Sequence, residues 1–201
     1  MSLVPEFELG LWNAWIPALL MFSIIMGLSP LVIRSFLGST KSQESSKRHS
    51  AKPKLSEREK KLDHLSTITL LALIGYSVFL PLELGTGWFY AGLFVYVMSI
   101  IFGFIAMINF AQAPLDKPAT KGVYSISRNP MYFSMFLIFI GISLACASWP
   151  FLLLTMIWIF LADRGVVAEE RLCLETYGDS YREYMNRTPR WIGIRKSERR
   201  N

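Results

Sequence analysis

Two cysteines and two histidines in 201 residues leave little for metal chemistry. His49 and His64 stand alone and no Cys-x-x-Cys occurs, so no metal centre is expected. Charge is missing too, over long stretches. Leu65 to Leu82 and Gly87 to Phe110 carry no charged residue, and Leu11 to Phe36 carries only Arg34. A fourth apolar tract, Met131 to Leu161, is broken only at Ser148-Trp149-Pro150. No lysine or arginine precedes the first run, so it lacks the basic start of a cleavable signal peptide. The chain also has no internal repeat.

What is present is apolar and blocked. The composition is 52% hydrophobic, and five such blocks leave too little polar sequence to coat a soluble globule. A helix crosses the hydrocarbon core in about 20 residues, so the first three runs each fit one pass. The fourth is too long for one pass and reads as a tight hairpin turning near Pro150. Its second arm, Phe151 to Leu161, is short enough to continue past Asp163. The expected fold is all-α: a polytopic membrane protein of about five transmembrane helices, the last two a hairpin, with a cytoplasmic C-terminal helical segment.

Basic residues set the expected orientation. The 38–64 segment holds Lys41, Lys47, Arg48, Lys52, Lys54, Arg58, Lys60 and Lys61, and the 111–130 loop holds Lys117, Lys121 and Arg128. The tail beyond Leu161 is arginine-rich, whereas the N-terminal segment and the Glu83–Gly87 turn have no Lys or Arg. With five passes these groups alternate, giving an N-terminus outside and both basic loops and the C-terminus in the cytoplasm. That bias accounts for the net charge of +6 without a nucleic-acid partner, and it favours anionic lipid headgroups. Cys146 and Cys173 then fall on opposite sides and are not expected to pair. Ser39 to Ser56 reads as a linker, and Ser56-Glu-Arg-Glu59 has the spacing of a helix capping box. Residues 1–110 read as three transmembrane helices with the basic loop. Residues 111–201 read as the catalytic region.

Two polar elements flank the hairpin. The first is Gly122-Val-Tyr-Ser-Ile-Ser-Arg-Asn-Pro-Met-Tyr132. Gly122 permits a turn other residues resist, Asn129 suits a helix N-cap, and Pro130 suits the first helical position. Those structural roles leave Tyr124, Arg128 and Tyr132 open to two readings: interfacial anchors, or parts of a site. A helix N-terminus there offers amides and a positive dipole end to a carboxylate or phosphate. The second element is Asp163-Arg164-Gly-Val-Val-Ala-Glu169-Glu170-Arg171. Glu169 and Glu170 point about 100° apart on a helix, so one can face inward while the other meets solvent or Arg171. Beyond them, Tyr177, Tyr181 and Tyr184 at helical spacing, with Trp191 following, read as an interfacial segment.

Gly-Val-Tyr…Arg-Asn-Pro-Met-Tyr, then Glu-Glu-Arg-Leu…Tyr-Gly-x-x-Tyr-x-x-Tyr…Pro-Arg-Trp-Ile, resembles the integral-membrane methyltransferases. That superfamily includes isoprenylcysteine carboxyl methyltransferases and phospholipid methyltransferases. The resemblance runs from Thr120 to Ile194. It implies a cytoplasmic site for S-adenosylmethionine, with Tyr124, Arg128, Asn129, Pro130, Met131, Tyr132 and Glu169 as cofactor-binding candidates. Asn129 stands where the family often has histidine. The carboxyl methyltransferases carry a substrate-binding arginine four residues before the glutamate; here Gly165 is there and Arg164 precedes it. Arg164, to orient the acceptor, and Glu170, to accept a proton from an amine, are the catalytic candidates. The expected activity is methyl transfer to a lipid-like or prenylated substrate entering from the bilayer. It is isoprenylcysteine carboxyl methyltransferase-like, or alternatively N- or S-methylation of a phospholipid or small amphiphile. An NADPH-dependent membrane reductase and a scaffold or transporter are the readings from other classes. A transporter would place charge inside its spans, and these spans have almost none. The sequence gives no oligomeric state.

Overall fold

The computed structural model describes residues 10, 12–23, 53–114 and 116–193, and all statements below concern those residues. Most of the first apolar run, most of the basic 38–64 loop and the extreme C-terminus lie outside them. Six α-helices occur: α1 (Trp15–Ser23), α2 (Glu57–Ser77), α3 (Gly87–Gln112), α4 (Pro130–Ala145), α5 (Trp149–Tyr177) and α6 (Asp179–Arg187). A 3-10 turn, Gly122–Ser125, precedes α4. Apart from one isolated bridge, Asn13 with Pro81, the described residues contain no strand.

Three of the helices begin on a side-chain cap. Ser56 and Glu59 cap α2 reciprocally: Ser56 Oγ accepts from the Glu59 amide, and Glu59 Oε2 accepts from the Ser56 amide at 2.8 Å. Thr86 caps α3 and Ser148 caps α5 in the same side-chain-to-amide manner. The hairpin turns where the apolar tract breaks, through Ala147 at φ +46°, and Pro150 sits in the first turn of α5. That helix continues well past Asp163 to Tyr177, so its last third carries the glutamate pair.

The second apolar run departs from expectation. Its helix stops at Ser77, five residues before Leu82. A turn at Val78 and Phe79 then leads into a stretch that pairs with the residues before α1: the Ala14 amide donates to Leu80 O and the Leu82 amide to Trp12 O. Pro81 has no amide to continue a helix, and Asn13 Nδ2 takes Val78 O at 2.8 Å.

α3 runs against α4, α4 against α5, and α5 against α2. Small residues bring the first pair together. A Cβ on Gly92 would lie 2.3 Å from the Ala145 nitrogen, and one on Gly141 2.8 Å from the Tyr96 nitrogen. Close backbone approach of this kind replaces the missing hydrophobic drive between helices in lipid. Around Phe139 and Phe151, both fully buried, Trp158 stacks edge-on to Phe136 and Phe139. α3 and α5 are long and apolar enough to cross a membrane, and α4 is a shorter apolar helix. Only 22% of the most apolar window of α3 is buried, which a soluble core helix would not tolerate. Tyr90, Phe94, Leu153 and Phe160 face outward instead.

Candidate active site

The polar elements on either side of the hairpin meet at its open end. Gly122 takes φ +62°, and its Cβ position is filled by the Asn109 side chain, whose Oδ1 accepts from the Val123 amide at 3.0 Å. The 3-10 turn is thereby fixed to the end of α3, and Tyr124 is buried against Phe110. Ser127 follows, fully buried, and its hydroxyl accepts from the Asn129 amide at 3.2 Å.

Asn129 occupies the N-cap position of α4 but makes no side-chain cap. Its amide group donates instead to Glu170 Oε1 at 2.9 Å. The first turn of α4 therefore keeps an uncapped end. Beside it lies Arg128, whose side chain is 9% exposed. Its Nε is 3.3 Å from Glu170 Oε1 yet buried without a hydrogen bond.

Glu170 is the hub. It is 4% exposed; Oε1 receives Asn129 and faces Arg128, while Oε2 accepts from Arg190 Nε at 3.1 Å and Nη2 at 3.0 Å. Arg190 also approaches Asp163 at 3.7 Å. Partial burial disfavours the Arg190 cation, but the hydrogen bonds and charge of Glu170, with Asp163 beyond, outweigh that and raise its pKa. Glu169, one residue earlier, faces elsewhere: it is exposed and accepts from the Tyr132 hydroxyl at 2.6 Å. The hydroxyl thus steers the carboxylate to the first turn of α4.

The C-terminal arm closes the cluster from below. The amides of Arg128 and Asn129 donate to the carbonyls of Pro189 and Arg190, and the Gly193 amide donates to Ile126 O. Tyr184, buried, donates to Tyr124 O at 2.6 Å. Burial pushes the Tyr181 and Tyr184 phenols above their ordinary pKa, so both stay protonated donors. Trp191 lies 5.0 Å from Phe136 and seats the arm on the helical core. At the start of α2, Arg171 donates to Lys54 O and Glu59 Oε2, both at 3.1 Å, and clips that helix to α5.

Of the expected site residues, Arg128, Asn129 and Glu170 meet in one cluster, Tyr132 meets Glu169 beside it, and Pro130 opens α4 between them, whereas Tyr124 and Met131 pack in an apolar cluster with Ala106 and Ala119. Arg164 stays apart. It is exposed on the outer face of α5, its guanidinium 5.0 Å above the Phe160 ring. Phe160 in turn lines an apolar groove of about 490 Å³ between α2 and α5, together with Leu65, Thr69, Met156, Ile157 and Leu161. Arg190, Tyr184 and Asp163 appear in the sequence only as parts of its motifs and tyrosine segment and carry no expected site role there. The signal for Arg190 was present, as the arginine of Pro189-Arg190-Trp191, but the helical period of the tyrosines marked only an interfacial tail.

The fold places a built polar site at one end of a hairpin of two apolar helices, of which α5 is long and apolar enough to cross a membrane. The phospholipid methyltransferase family model matches residues 82–180, from the end of the extended segment through α3, the loop, α4 and α5. The match covers just under half of the chain and is consistent with the membrane methyltransferase superfamily. A search of the curated proteins finds no match.

Proposed function

We propose that the protein methylates a lipid-like acceptor at the cytoplasmic membrane interface, with S-adenosylmethionine as methyl donor. The observation that carries this reading is Arg128: a buried guanidinium with an Nε–H lacking a hydrogen bond, beside an uncapped helix N-terminus. Those groups fit a carboxylate, because both offer donors where water is scarce. Exposed Glu169, oriented by Tyr132, fits an ammonium or ribose hydroxyls. The residues present therefore suit the two ends of an amino-acid-bearing cosubstrate. When bound, S-adenosylmethionine supplies the electrophilic methyl group. The protein's task is to hold donor and nucleophile in line, near contact and away from water.

Tyr124, Asn129, Pro130 and Met131 shape the cofactor loop in this proposal. Glu170 changes role. Buried and engaged by Arg128, Asn129 and Arg190, its carboxylate suits holding the loop better than taking a proton. The groove between α2 and α5 suits an acyl or prenyl chain, and Arg164 at its cytoplasmic rim suits an anionic part of the acceptor. The acceptor favoured by the matched family is a phospholipid; a prenylated carboxylate, which needs no general base, is the second reading and draws on Arg164. Five passes with the N-terminus outside, and residues 111–201 as the catalytic region, complete the proposal. Its support is the distribution of basic residues.

Protein in nanodiscs titrated with S-adenosylmethionine and with NADPH tests the class. Binding of the former alone is expected; no binding of it removes the methyltransferase reading. Labelled methyl transfer into a panel of phospholipids and prenylcysteines then identifies the acceptor. Arg164→Ala is expected to impair turnover while leaving cosubstrate affinity intact.

A further inference from the structure

We infer that Arg190, acting through Glu170, is a positioning residue that leaves Arg128 electrostatically available to an anionic ligand. The inference rests on the proposed cosubstrate site and adds to it a residue outside the 82–180 match.

The argument begins with how one carboxylate is shared. Glu170 is buried between two guanidiniums. Arg190 binds one oxygen through two N–H groups, Nε at 3.1 Å and Nη2 at 3.0 Å. The other oxygen serves the loop, through Asn129 at 2.9 Å and Arg128 at 3.3 Å. The stronger geometry belongs to Arg190, because charge-assisted bonds depend on alignment and the Arg128 contact makes no hydrogen bond. Arg190 is further held by Asp163 at 3.7 Å and through its carbonyl, which accepts from the Asn129 backbone amide, the Asn129 side chain and the Ser127 hydroxyl. Glu170 therefore keeps Arg128 in place without fully neutralising it.

Removing Arg190 changes that division. The freed carboxylate turns to the remaining cation, and Arg128 with Glu170 becomes a closed neutral pair. Binding of a carboxylate by Arg128 then has to break that pair first. The backbone bonds from Arg128 and Asn129 to Pro189 and Arg190 survive the truncation, so the effect is selective for negative charge on the ligand.

The test compares S-adenosylmethionine with its decarboxylated analogue, which lacks only the carboxylate. Wild-type protein in nanodiscs is expected to prefer the carboxylate-bearing compound. In Arg190→Ala that preference falls by about tenfold while affinity for the decarboxylated analogue holds, as expected for losing one charge-assisted contact. Arg190→Lys, which keeps the charge but not the fork, is expected to lie between. Hydrogen exchange at the Arg128 and Asn129 amides reports, without any ligand, whether the arm still seats the loop in each variant. A merely structural role predicts faster exchange and equal losses for both compounds; that result, or no change in preference in either variant, overturns the inference. Wild-type protein that binds neither compound overturns the cosubstrate site itself, and the inference with it. Should Arg190→Ala not fold, the Arg190→Lys comparison decides.

Discussion

Glu169 and Glu170 are neighbours of one residue type, and the structure gives them opposite energetic weights. Glu170→Ala leaves the Arg128 guanidinium, 9% exposed, without its counter-charge. Breaking a buried ion pair from one side costs about 3–5 kcal/mol, because the remaining charge stays desolvated. Arg190 adds little to that sum: its side chain is 32% exposed and turns to water, so its share is that of a surface pair, at most about 1 kcal/mol. Asn129 loses an acceptor but keeps the Arg190 carbonyl at 3.4 Å. The expected loss for Glu170→Ala is therefore about 3–5 kcal/mol. Glu170→Gln, which keeps an acceptor oxygen, should lose less, about 1.5–3 kcal/mol. Glu169→Ala sacrifices one exposed hydrogen bond from Tyr132 and should cost about 1 kcal/mol or less. Reversible unfolding in mild detergent, followed by tryptophan fluorescence, measures all three, since Trp191 and Trp158 both flank Phe136. If Glu170→Ala costs no more than Glu169→Ala, the carboxylate is no anchor and the buried-charge reasoning fails.

Three further outcomes follow from the same geometry. Gly92→Ala drives a methyl group into the α4 backbone and should cost about 1–3 kcal/mol in the same unfolding assay; a change within about 0.5 kcal/mol would mean the helices part freely there. Gly165→Ala meets nothing within 4 Å and should stabilise α5 by up to about 1 kcal/mol, so a collapse of methyl transfer in that variant would mark the position as substrate-facing. Glu59 has its pKa lowered from 4.5 to about 2, chiefly by the Arg171 hydrogen bond and then by the Ser56 contacts. A depressed folded-state pKa contributes stability above pH 4.5 that is lost as pH falls toward 2. Exchange at the first amides of α2 should thus rise over that window in wild-type protein and be already raised, with a weaker pH dependence, in Arg171→Ala.

How far the sequence was legible depended on whether a feature was local. The hairpin, the Ser56 capping box and the Gly122 turn each rest on a few adjacent residues, and each is where its signal lies. The second apolar run was misread at its end because hydropathy does not distinguish a helix from an extended apolar strap. What ends α2 at Ser77 is a backbone partner from the Trp12–Ala14 stretch, remote in sequence. The same limit governed the site. Asn129 looked like an N-cap because its position matches one, yet a buried carboxylate forty-one residues away offers it a stronger acceptor. That competition arises only after folding.

The glutamate pair carries this point to function. Helical geometry alone allowed one of the two to face inward, but which one depended on where α4 and the C-terminal arm pack against α5. With Glu170 inward, the inner carboxylate fixes the loop, and the outer one, oriented by Tyr132, is left for ligand chemistry. A burial-driven role and a proposed binding role are thus separated by a single step along one helix. Because the inner glutamate is shared between the loop and the arm, residues beyond 180 help decide how much positive charge Arg128 presents. The proposed site therefore extends past the family-matched segment, into a tail whose sequence pattern reads as interfacial.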